Sequence, residues 1–102
     1  MKRERKNPKD RKNSILAAAC TVAVSKGYTN VTREDAAKAA GVSMSLVSHY
    51  FSTMPQLKRD LMRYAVRCGV SAVIAQGLMH RDPQAMKLDK DKKREILATL
   101  AD

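Results

Sequence analysis

The chain has no tryptophan, one phenylalanine and three tyrosines in 102 residues, so any core it builds is mainly aliphatic. Cysteine is scarce too. Cys20 and Cys68 both fall on apolar helical faces and read as reduced core thiols, which argues against a disulfide-stapled secreted scaffold. Glycine (4) and proline (3) are too few for a collagenous or linker-like chain. No stretch alternates with the period of a strand, and no internal repeat is present. No apolar run is long enough to cross a membrane. The basic opening followed by Ile15–Cys20 has the look of a secretory leader. That run is too short for a leader's apolar region, however, and Lys26 and Gly27 soon follow.

What is present points to helices and to a polyanion. Alanine, leucine, methionine and lysine are plentiful and favour helix. The hydrophobic fraction of 44% excludes a fully disordered chain. The net charge is +10, a value that draws a protein towards polyanions. The excess is uneven, since residues 1–12 carry seven Lys/Arg against Glu4 and Asp10. That segment, with Pro8 inside it, reads as a basic flexible arm whose Lys2, Arg3, Arg5, Lys6, Lys9, Arg11 and Lys12 are placed to follow a nucleic-acid backbone.

Helix punctuation is clear after the arm. Asn13 or Ser14 suits the cap of a first helix, with a start nearer Pro8 as the alternative; Ile15, Ala19, Val22 and Ala23 stand at helical spacing and Gly27 is its stop. Thr32 caps a second helix, with Asp35 in capping-box position and Ala36, Ala37 and Ala40 facing inward. Gly41 ends it. Ser43 caps a short third helix to about Tyr50. Ser52 and Thr53 cap a fourth, with Pro55 in its first turn and an expected end near His80. Asp82-Pro83 starts a charged helix over much of 84–100.

Residues 31–51 meet several requirements of a helix-turn-helix at once. Ala37 is small where a second helix crosses. Gly41, four residues on, suits a left-handed turn. Val42 plugs the turn, and Val47 faces inward six residues after the glycine. In such motifs the second helix lies in the major groove of DNA, and a free helix start such as that at Ser43 meets phosphate.

These residues resemble the TetR/AcrR family of regulators over about Asn13 to Tyr64. The resemblance is carried by Gly27-Tyr28, Val31-Thr32, Ala36 through Ala40-Gly41-Val42-Ser43, His49-Tyr50-Phe51 and Gln56-Leu57. It implies that the first three helices form a DNA-binding bundle and that the fourth leads to a dimerisation region. Two family phosphate contacts are absent, with Ser48 and Met54 standing at positions where tyrosine and lysine are common. Lys58, Arg59 or the arm are the expected substitutes. The chain is also short for the family, so a family-style ligand pocket and a small-molecule inducer are not expected.

The expected fold is therefore all-α: a three-helix helix-turn-helix bundle (13–53) after the arm (1–12), then a long fourth helix and a short C-terminal helical region (54–102) for dimerisation. Met44, Ser45, Ser48 and His49 are expected to face the groove, with Thr32, Arg33, Ser43, Tyr50 and Lys58 as further DNA contacts. Ser45 and Ser48 suit base edges or phosphate, Met44 a thymine methyl, and His49 phosphate or a guanine acceptor. Val66, Val70, Val73, Ile74 and Gly77 form a second apolar surface, read as the interface of a homodimer. An intrachain hairpin, in which the last helix covers that surface, is the competing arrangement.

No catalytic constellation is visible. Ser48 and His49 are sequence neighbours whose side chains diverge on a helix. His49 and His80 lack partners at metal-ligand spacing. No enzyme activity, cofactor or metal is expected. The leading expectation is a cytoplasmic, nucleoid-bound homodimeric repressor of double-stranded DNA at an inverted repeat, of a size that suits a plasmid or phage. A nucleoid-like architectural protein and an adaptor or antitoxin with a protein partner are the alternatives.

Overall fold

The computed structural model describes residues 8–98, and every regular element among them is helical. The first helix, α1, spans Pro8–Lys26, with Asp10 in its first turn and Lys26 in its last, each matched to the helix dipole. It therefore begins at Pro8, the alternative start, and not at Asn13 or Ser14. Lys9, Arg11 and Lys12 belong to this helix and not to a flexible arm, while Lys2, Arg3, Arg5 and Lys6 lie outside the described residues. Lys12 is engaged within the fold, 3.5 Å from the Asp60 carboxylate and 5.4 Å above the Phe51 ring. Asn13 caps nothing; its Oδ1 accepts from Arg67 at 3.3 Å.

A 3-10 turn, Tyr28–Asn30, carries the chain to α2, Arg33–Ala40, and a short turn leads on to α3, Met44–Tyr50. The next helix, α4, spans Met54–Cys68. Helices α1 and α2, α2 and α3, and α1 and α4 pack pairwise. Their shared core holds Ile15, Ala19, Ala36, Val47, Phe51, Leu57 and Leu61, each 1% exposed or less. Burying a leucine or isoleucine of this kind is worth about 1.5–3 kcal/mol.

The fourth helix does not run on to His80. It stops at Cys68 because Gly69 adopts φ +73°, and the N–H groups of Gly69 and Val70 both donate to the Ala65 carbonyl. A helix end of this shape needs a left-handed residue, which glycine supplies without steric cost. The chain turns into α5, Ser71–Met79, followed by α6, Pro83–Met86, and α7, Lys90–Ala98. The expected charged helix over 84–100 is thus two helices. Asp82 caps the first by accepting from the Gln84 N–H, and Asp89 starts the second by accepting from the Lys92 N–H.

This folding-back overturns the expected dimer surface. Val73 and Ile74 are 0% and 2% exposed, and α5 packs on α1, α4, α6 and α7. Gly77 is buried where a Cβ would lie 3.0 Å from that of Ala85 and 2.6 Å from the Met62 methyl. Val66 and Val70 are half-buried against the same core. Val73, Ile74 and Gly77 are therefore core residues, because Ala85 and Ile96 of the two last helices return to cover them. On α4 Leu57, Leu61 and Ala65 are buried, but Cys68, expected to be a core thiol, is exposed. Cys20 is buried, and burial first, then the neighbouring Cys68, pushes its thiol up to about 11. Among the described residues no helix is long and apolar enough to cross a membrane.

Candidate nucleic-acid interface

Local chemistry delimits the three helices that build this face. The Thr32 hydroxyl accepts the Asp35 N–H, and the Asp35 carboxylate accepts the Thr32 N–H, both at 3.1 Å, closing a reciprocal capping box. Lys26 fixes the same carboxylate at 2.8 Å. The lysine contact first, then the Thr32 backbone, holds the Asp35 carboxyl below the usual carboxylate range. Gly41 ends α2 at φ +70°, with its N–H on the Ala37 and Lys38 carbonyls. Ser43 then caps α3 by accepting from the Leu46 N–H at 3.1 Å, and Thr53 caps α4 by accepting from Gln56 at 3.2 Å.

Helix α3 divides cleanly. Val47 is fully buried, and Leu46 and Tyr50 are half-buried. Met44, Ser45, Ser48 and His49 are exposed, with Met44 at 51%. Neither Ser45 nor Ser48 uses its hydroxyl on another described residue, so both keep a donor and two acceptor lone pairs for an outside partner. The His49 ring meets the Tyr50 ring edge-on at 5.0 Å, while Tyr50 packs against the core.

The helix starts of α2 and α4 border the same face. Thr32, Arg33, Met44 and Lys58 line one open groove with Glu34 and Met54, so four of the expected contact residues converge. Arg33 does more than sequence reasoning assigned to it. Its Nη2 donates to the Ser52 carbonyl at 2.8 Å, bracing the start of α2 against the turn after α3. Its Nε is buried without a partner, the one such side-chain atom among the described residues. An unpaired donor of this kind costs about 1–3 kcal/mol until an acceptor reaches it.

One anchor escaped sequence reasoning altogether. The Gln76 carboxamide on α5 accepts the Tyr28 N–H at 2.7 Å and donates to the Ala23 carbonyl at 2.9 Å. The Tyr28 ring also meets His80 edge-on at 5.8 Å, and burial first, then the Asp82 carboxylate, raises the pKa of its hydroxyl. These contacts tie the end of α1 and the approach to α2 onto α5. The signal was a lone amide in the otherwise uncharged, mostly apolar run 68–79.

The match to known proteins falls on this arrangement. Residues 15–61 match the model of the bacterial regulatory proteins of the tetR family. The chain carries a TetR-type helix-turn-helix domain. The matched span begins at the first core residue of α1 and ends at Leu61 in α4, so this TetR-type domain includes the capped helix starts at Thr32, Ser43 and Thr53. The HTH-type transcriptional regulator BetI of Agrobacterium fabrum (strain C58 / ATCC 33970) is 38% identical over 68 residues, covering 63% of this chain. The chain spans about a third (33%) of the length of that relative. No solved structure matches the chain at comparable significance.

Proposed function

We propose that the protein is a DNA-binding transcriptional regulator that reads double-stranded DNA with the outer face of α3. The observation that carries this reading is the sorting of that helix: Val47 is sealed in the core, while Met44, Ser45, Ser48 and His49 stand exposed beside a groove with Arg33 and Lys58. Phosphates of the flanking backbone suit the starts of α2 and α4. There Thr32 and Lys58 supply donors beside the positive ends of two helices, and Arg33 lines the same groove while bracing the Ser52 carbonyl. Ser45, Ser48 and His49 suit polar base edges, and Met44 a thymine methyl. The net charge of +10 draws the chain to its target, and Lys2, Arg3, Arg5 and Lys6 add a basic segment ahead of α1.

The regulatory act is repression by occupancy, with two copies on an inverted repeat about 34 Å apart, one turn of DNA. Contact between the copies does not use Val73, Ile74 or Gly77, which serve the core of each chain. Selection of bound sequences from random duplexes tests the reading. A palindromic consensus supports it. Alanine at Ser45 or His49 is then expected to weaken the selected site by about 1–3 kcal/mol more than random DNA. Uniform recovery, with equal losses on both DNAs, replaces it with architectural, sequence-indifferent binding. The absence of lysine and arginine from α3 would favour that second mode.

A further inference from the structure

A second cationic surface lies away from α3. Arg63, Val66 and Arg67 of α4 face Gln84, Lys87 and Leu88 of the α6 region across an open trough of about 390 Å³. Three cations line it and no carboxylate does, whereas the neighbouring groove by Lys58 and Arg59 includes Asp82. Arg63 and Lys87 are exposed and form no ion pair among the described residues. Arg67 is held in position by Asn13 at 3.3 Å and by the Tyr64 ring at 5.3 Å. The floor is apolar, formed by half-buried Val66 and Leu88.

We propose that this trough docks an acidic, amphipathic segment of a partner protein. Carboxylates of the segment meet Arg63, Arg67 and Lys87, and an apolar side chain covers Val66 and Leu88. Arginine clusters recognise acidic motifs in this way, with planar bidentate contacts to carboxylate. Other occupants fit less well. A second copy of a chain with a net charge of +10 brings cations against cations. The chain's own first residues offer Glu4 against Lys2, Arg3, Arg5 and Lys6. A small anion would be poorly enclosed, since ligand pockets bury about 70–90% of their occupant. Duplex DNA on α3 lies far off, because Arg67 stands about 20 Å along α4 from its start at 1.5 Å per residue. The proposal stands independently of the DNA-reading face.

The test uses the full chain and a fluorescein-labelled synthetic peptide in which glutamate and leucine repeat at helical spacing. Anisotropy is expected to give saturable binding that weakens with salt. Arg63→Glu and Lys87→Glu should each loosen it at least about tenfold, because each sets a like charge against the peptide. Arg94→Glu, an equal charge change on the exposed side of α7, should loosen it about twofold at most, as an exposed charge outside the trough does. Polyglutamate should bind more weakly than the glutamate–leucine peptide, since nothing then covers Val66 and Leu88. Equal losses in all three variants would mean bulk attraction and overturn the proposal. Full displacement by inorganic phosphate would replace it with a small-anion site. A loss of duplex-DNA affinity in Lys87→Glu as large as its loss of peptide affinity would make the trough a nucleic-acid surface and also overturn it. Two separate charge reversals keep the test decisive should either variant unfold.

Discussion

The head of the molecule, from α1 to the start of α4, and the tail, α5 to α7, are held by different means. In the head each short helix is punctuated by side chains. Thr32, Ser43 and Thr53 each accept a backbone N–H, and Asp35 closes a box with Lys26 behind it. In the tail the central helix, α5, has no side-chain cap, and Val73, Ile74, Ala75, Gly77 and Leu78 are all buried. It is held by surfaces supplied from α1, α4, α6 and α7. Capping leaves the outer face of α3 free to vary chemically, because that face carries none of the stability. Packing leaves α5 no such freedom. The two regions meet at Gln76, whose amide bonds the end of α1 and the turn after it.

The largest expected effect falls on the tail. Val73→Asp places a carboxylate in a fully buried site, at a cost of several kcal/mol. Total stability for a domain of this kind is about 5–15 kcal/mol. The variant should be largely unfolded by circular dichroism. A folded monomer would restore the discarded reading of Val73 as an interface residue.

Gln76→Leu is the next largest and bears on the junction. It leaves the Tyr28 N–H without its partner, at about 1–3 kcal/mol, while the Ala23 carbonyl keeps the Gly27 N–H at 2.8 Å. Urea unfolding should show the loss, and amide exchange at Tyr28 should accelerate more than at Val47. Uniform acceleration would mean that head and tail are not joined there.

Thr32→Ala removes a cap from the head and should cost about 0.5–2 kcal/mol. The same cap has a pH signature. The Asp35 carboxylate is favoured in the folded state by Lys26 and then by the Thr32 backbone, so its folded pKa lies below its unfolded one. The stability it contributes is present above the unfolded carboxylate pKa and is lost as pH falls through the folded value. The difference in Tm between wild type and Asp35→Asn should shrink to nothing on acidification. A difference that grows with acid would reverse the assigned sign.

The smallest effect is a gain. Arg81 sits at φ +57° in the turn between α5 and α6, with its N–H on the Leu78 carbonyl. Arg81→Gly relieves a left-handed arginine and should stabilise the tail by up to about 1 kcal/mol, since the strain of that backbone region is of order 1 kcal/mol or more. A measurable loss would show that the arginine side chain contributes something the turn does not.

The head was legible in the sequence for the same reason that it is punctuated. Thr32 with Asp35, Gly41, Ser43, and Thr53 with Pro55 are local signals, and all of them mark helix boundaries in the structure. The inward residues Ala36, Ala37 and Val47 followed from spacing alone. The tail was less legible because its decisive feature is tertiary. The run 68–79 is almost wholly apolar, and such a run has no phase to say which side faces the chain and which a partner. Gly69 was the overlooked boundary, and reading through it left Val73 and Ile74 on the outside. In the site itself, exposure of Met44, Ser45, Ser48 and His49 followed from helical phase, whereas the Arg33 brace to Ser52 joins residues 19 apart and has no local signature.

The reading face of α3 is tested most directly by duplex-DNA affinity in two sets that lower the net charge by one and by two: Ser48→Glu on that face, and Lys93→Gln with Arg94→Gln on α7. Both sets lower the net charge, and Ser48 and Arg94 are exposed, so the fold should survive in each. Ser48→Glu is expected to lose at least about a hundredfold, because it sets a carboxylate against base edges or phosphate, while the α7 pair should lose only the few-fold that distant screened charges allow. Equal losses in the two proteins would contradict the assignment of α3 as the DNA-reading helix.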